Sequence, residues 1–187
     1  GDQVITIGTG SENPGSIAYT SGAITGKLKR YFANSIGSKL FPVGTSDFIR
    51  DALIDFNVSS PGSDQFLTVA FIEGTPQDGN GGGTLINGLP VAISGLDIID
   101  YSDQGYWEIE PTNGDYSSSI CTSNYTLTLH MNGMSDLSDI NYTRILKSSG
   151  SNIPSLNHVE WSGLNAISSI GTISDFEITS ITNGFSY

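Results

Sequence analysis

The sequence predicts an all-β protein: an antiparallel β-sandwich of the jelly-roll or immunoglobulin-like kind, built as a single domain with long loops. Three observations predict it. In the run Tyr106, Trp107, Glu108, Ile109, Glu110, Pro111 the side-chain character alternates with period two. An extended strand there turns Trp107 and Ile109 to one face and Tyr106, Glu108 and Glu110 to the other, which is how a strand with one buried and one wet face reads. Comparable runs recur along the chain, about twelve in all, between clusters of Gly, Ser, Asn and Asp that form turns. No segment shows the 3.6-residue apolar spacing of an amphipathic helix. Many short strands with no fixed-period repeat favour two packed sheets over an open barrel, a propeller or a solenoid.

The elements follow in order. Residues 4–8 and 16–20 each read as a short strand. Residues 24–32 alternate, with Thr25, Lys27, Lys29 and Tyr31 on one face and Ile24, Leu28, Arg30 and Phe32 on the other. Residues 39–43 form a brief strand ended by Gly44. Residues 51–59 and 66–73 are strong strands on either side of the turn Ser60, Pro61, Gly62, Ser63, Asp64, a pattern that predicts an antiparallel hairpin. Residues 74–83 hold Pro76, Asp78, Asn80 and five glycines, and the stretch 74–88 reads as a flexible Gly-rich loop. Further strands are predicted at 91–93, 96–101, 105–110, 125–130, 141–147, 158–162, 167–173 and 176–181, with one short helical turn at 134–140.

Composition narrows the function classes. The 187 residues suit one all-β domain, and 37% hydrophobic content is adequate for a packed core. With 19 acidic against 7 basic residues the net charge is −12, which argues against nucleic acids and anionic membrane surfaces and is compatible with calcium or neutral ligands. Cys121 is the only cysteine, so no internal disulfide forms. No apolar run reaches the roughly 18 residues of a membrane helix, so no membrane insertion is expected. The sequence contains no basic-plus-apolar leader, which says nothing about export, and Gly1 is expected to begin a mature protein or an excised fragment.

The candidate sites are few. Glu108 and Glu110 stand roughly 7 Å apart along one strand face, a separation compatible with paired-carboxylate glycoside hydrolysis. General-acid work needs one of the two in an apolar pocket, however, and neighbouring wet positions on one strand rarely differ that much; a solvated face is the simpler reading. Asp97, Asp100 and Asp103 cluster at a strand end and are the candidate metal ligands, calcium being the ion their oxygens suit. Asp78 to Gly81 and Asn113 to Asp115 are similar fragments, and none completes an EF-hand loop. His130 and His158 are the only histidines, and no His-x-x-x-His, Gly-x-Ser-x-Gly or phosphate-cradling Gly-x-x-x-x-Gly-Lys motif occurs. Trp107 and Trp161 alternate with Ile109 and Val159 and read as core anchors. Tyr101, Tyr106 and Tyr116 are the candidate ligand-binding aromatics. Arg30 shares a face with Leu28 and Phe32, so it needs a carboxylate or carbonyl oxygens to offset its burial; a structural role is expected. Asn57, Asn124 and Asn141 open Asn-x-Ser/Thr triplets that arise by chance in such a composition.

Several phrases occur in a recognisable order: residues 22–31, residues 41–45 (Phe41, Pro42, Val43, Gly44, Thr45), 106–109, 125–129, then 137–140 leading to 142–147, and finally Trp161, Ser162, Gly163. Together they resemble a module of large secreted and cell-surface proteins of the Bacteroidota, many of them cargo of the type IX secretion system. The resemblance spans residues 22–187, with 184–187 similar to the module's closing strand. One departure is Ile49, Arg50, Asp51, where the module carries Arg followed by Pro. The resemblance implies an extracellular β-sandwich within a longer multidomain polypeptide, in contact with matrix, glycan or a surface partner; it supplies no catalytic residues. The expected function is therefore a non-catalytic adhesion or spacer module, with a carbohydrate-binding module attached to a secreted polysaccharide-degrading enzyme as the alternative.

Overall fold

The structure is a computed structural model that describes residues 3–56, 60–74, 91–93, 96–100, 102–112, 123–137, 143, 145–148, 161–163, 168–172 and 175–183. These residues contain thirteen strands and no α-helix. In chain order they are β1 (Val4–Ile7), β2 (Lys27–Tyr31), β3 (Gly37–Phe41), β4 (Ala52–Phe56), β5 (Phe66–Glu73), β6 (Val91–Ile93), β7 (Leu96–Ile98), β8 (Gly105–Pro111), β9 (Asn124–His130), β10 (Leu146–Ser148), β11 (Trp161–Gly163), β12 (Ser168–Thr172) and β13 (Asp175–Asn183). The chain is thus all-β, as its alternation predicts.

Two sheets carry the architecture. One has the order β1-β2-β5-β8, the other β12-β13-β9-β4-β3, and β6-β7 and β10-β11 form separate two-stranded ribbons. Every pairing is antiparallel except β1 with β2, which run parallel from Val4 opposite Lys27 to Ile7 opposite Arg30.

Period-two alternation decides which residues meet. On β2, Leu28 and Arg30 are buried and Lys27, Lys29 and Tyr31 are half-buried; on β4, Ala52, Ile54 and Phe56 are buried. Leu28, Phe32, Leu67, Val69 and Phe71 from the first sheet and its flanks join Phe41, Ala52, Ile54, Phe56, Tyr125, Leu127 and Leu129 from the second in one hydrophobic cluster. Phe32 meets Phe56 edge-on at 5.0 Å, and Phe56 tilts against Tyr125 at 5.7 Å. Each such side chain contributes about 1.5–3 kcal/mol by leaving water, so the shared core is the main source of cohesion between the sheets.

Three expectations are corrected. Segments 51–59 and 66–73 do not form a hairpin: β4 pairs with β3 and β9, while β5 pairs with β2 and β8. The Pro61–Gly62 turn chemistry suits a change of sheet as well as a hairpin. The change of sheet sets the apolar faces of β4 and β5 against each other across the core, which a side-by-side pairing cannot do. Residues 16–20 form no strand, and the described part of 134–140 is a turn rather than a helix. Gly62 (φ 89°) and Asp64 (φ 54°) supply the left-handed conformations of the crossing turn, and Asp64 Oδ1 accepts from Ser11 N at 2.8 Å and from Ser11 Oγ at 3.0 Å. The turn is thereby fastened to the loop after β1.

Candidate functional site

On the outward face of the four-stranded sheet, Lys27 reaches over β5 to two carboxylates on β8. Its Nζ lies 3.4 Å from Glu108 Oε1 and 3.5 Å from Glu110 Oε2. Ala70, the register partner of Glu108 on the intervening strand, is short enough to let it pass. Burial holds the Glu108 carboxyl above the usual range, a hydrogen bond with Glu110 adds to this, and Lys27 partly opposes it. Burial also works against the Lys27 ammonium, yet Glu108 and Glu110 together push its pKa up. The Tyr106 phenol is raised by burial and then by Glu108. On the same face Lys29 Nζ sits 3.5 Å from the centre of the Phe66 ring, which packs edge-on against Tyr31 at 5.2 Å. The simply solvated face expected for Glu108 and Glu110 is corrected to a half-buried, cross-strand ion-pair network, because β2 and β8, on either side of β5, place long side chains over its Ala70.

A second polar cluster lies where β4 begins. The indole Nε1 of Trp107 donates to the Arg50 carbonyl oxygen at 2.7 Å. The Arg50 side chain lies against Phe48 and Phe71, 5.4 and 5.3 Å from the ring centres, and its Nε and Nη1 have no hydrogen-bond partner among the described residues. Burial lowers its pKa, and Asp136 and Glu73 partly counter this. The next residue, Asp51, is buried, and its carboxylate Oδ1 contacts Nδ1 of His130 at the end of β9. The His130 amide also donates to the Asp51 carbonyl at 3.0 Å. On the other side of β9, the register partner of His130 is Glu177 of β13.

The residues singled out from sequence fall as follows. Arg30 is only 5% exposed, and its Nη1 donates to the Leu40 carbonyl at 2.5 Å. Among the described residues it has no ion-pair partner and its Nε has no hydrogen-bond partner; the Phe41 ring centre lies 5.9 Å from its guanidinium carbon. Burial lowers the Arg30 pKa, and burial followed by Arg30 lowers that of Lys39. Trp107 is half-buried, packs on the core and meets Phe71 edge-on at 5.1 Å. Tyr106 is half-buried beside Glu108. Asp97, Asp100 and Asp103 are all exposed, and the Asp103 amide donates to Asp136 Oδ2 at 3.0 Å. Among the described residues no three His, Cys, Asp or Glu side chains are placed to hold a metal ion. Tyr101, Tyr116, the Trp161 side chain and the loop 75–88 lie outside the described residues.

The Asp51–His130 pair was not foreseen, since 79 residues separate its members. The one local sign is an ionisable residue at the end of an alternating run in each case. Comparison with protein-family models, with curated proteins and with solved structures finds no match.

Proposed function

We propose that the chain is a non-catalytic β-sandwich module of a large extracellular surface protein, acting in adhesion or as a spacer. The observation that carries this reading is the use made of the ionisable groups. Lys27, Glu108 and Glu110 join β2 to β8, Arg30 is spent on the Leu40 carbonyl, and Asp51 is spent on His130. Each of these contacts ties strand to strand, whereas catalysis requires an acid, a base or a nucleophile turned towards a substrate. The resemblance to secreted Bacteroidota modules supports the extracellular setting. Beads coated with the purified chain test the adhesive role: retention on matrix proteins or on cells, without release of sugar from polysaccharides, is the expected result. Measurable polysaccharide cleavage by the purified chain would defeat it.

A second reading, a carbohydrate-binding module, is favoured by Tyr106, Glu108, Glu110 and Lys27 sharing one sheet face. Affinity gels loaded with different polysaccharides separate the two. Retention on one gel that is lost in Tyr106→Ala supports the second reading, and migration unaffected by every gel supports the first.

A further inference from the structure

Asp51 and His130 face each other across the seam between β4 and β9. The Asp51 side chain is 10% exposed and the His130 side chain 34% exposed. Titratable and charged residues near the pair in the chain, in register or through Asp51 come from several elements. The start of β4 brings Asp51 and, beside it, Arg50, which is itself under the influence of Asp136 and Glu73. The segment before β2 brings Tyr19, whose phenol is raised by burial and then by Asp51. In backbone register, the residue of β13 opposite His130 is Glu177. The backbone that carries Asp51 is also the point where the first sheet is tied on, because Trp107 of β8 donates to the carbonyl of Arg50.

We propose that the Asp51–His130 pair is a pH-sensitive latch: the imidazolium form of His130 fastens the start of β4, and loss of its proton loosens that end of the molecule. A buried carboxylate needs a compensating charge or several hydrogen bonds. The imidazolium supplies both through a charge-assisted bond about twice as strong as a neutral one. Neutral imidazole with its hydrogen on Nδ1 keeps the bond and gives up the charge. Pairing with a carboxylate favours the protonated ring. The stabilisation is therefore complete below the ordinary histidine value of about 6.5 and is lost as pH rises through the native-state value.

Thermal unfolding of the wild-type chain, His130→Gln and Asp51→Asn between about pH 5.5 and pH 8.5, a range above the titration of ordinary carboxylates, tests the latch. The wild-type Tm is expected to fall over this range by about 2–4 °C more than that of His130→Gln. NMR titration in a His158→Gln background, which leaves a single imidazole because the chain has two histidines, is expected to place His130 above its ordinary value and to move it down when Asp51→Asn is added. The same pH slope in wild type and His130→Gln overturns the proposal, as does an imidazole that titrates at or below its ordinary value and ignores Asp51→Asn. Should His130→Gln fail to fold, the titration decides alone.

Discussion

The indole of Trp107 on β8 and the carbonyl of Arg50, just ahead of β4, are joined by a hydrogen bond of 2.7 Å. The bond links the four-stranded sheet to the segment that enters the five-stranded one, and the indole ring stands edge-on against Phe71, its register partner on β5. Replacing Trp107 with Phe keeps an aromatic ring and removes the donor. The expected loss is about 0.5–1.5 kcal/mol, the net worth of one hydrogen bond, seen in urea as a lower midpoint at unchanged slope. An unchanged midpoint would show that the link carries no stability.

Arg30→Met is expected to cost little. The guanidinium is buried and has, among the described residues, one carbonyl acceptor and no carboxylate, which leaves its desolvation poorly compensated. Exchanging a poorly compensated buried charge for an apolar side chain of similar length is often neutral or stabilising. A Tm within about 2 °C of wild type, or above it, is the predicted outcome. A large fall would mean that the Leu40 carbonyl contact is worth far more than one ordinary hydrogen bond.

Gly105→Ala is expected to destabilise strongly. The residue has φ 150°, and a Cβ there would stand 2.2 Å from Phe71 Cζ and 2.6 Å from the Ile72 carbonyl oxygen. Relief requires moving a core ring and the β5–β8 pairing together, so a loss of about 1–3 kcal/mol or more is predicted. Denaturant unfolding of the single variant suffices to check it.

Glu108→Gln is expected to be at least as stable as wild type at neutral pH. Burial chiefly, with Glu110 adding, holds the Glu108 carboxyl above its ordinary value. The folded state therefore binds its proton more readily than the unfolded state does. The associated stability is complete below that ordinary value and is lost as pH rises through the native one. The advantage of Gln should consequently shrink as pH falls towards about 4. Lys27→Met, which removes partly exposed ion pairs, is expected to cost less than about 1 kcal/mol and to lose that difference at high salt.

Strand positions were legible where alternation was clean. The run ending in Glu110 and Pro111 became β8, because one apolar and one polar face admit only one way to lie on a core; 66–73, a nearly continuous apolar run, became β5 with the same ends and is buried on both faces. Residues 16–20 carry Ile17 and Tyr19 in a similar pattern and yet form no strand, although Ile17 packs on the core. Turn chemistry was also legible, but only locally. Pro61, Gly62 and Asp64 announce a reversal and leave open whether the strand that follows stays in the same sheet. The buried place of Arg30 could be read from its neighbours Leu28 and Phe32, whereas the acceptor it found, the Leu40 carbonyl, could not.

The amino-acid order by itself determined the all-β class, most strand positions and, on strands such as β2, β4 and β8, the face on which the side chains lie, because these follow from a two-residue period that every extended chain obeys. Only the tertiary structure decided which strands became neighbours: β4 beside β9 instead of β5, β1 parallel to β2, and Asp51 against His130. Those choices depend on how two apolar faces best exclude water from one another, and that balance is struck between residues far apart in the chain.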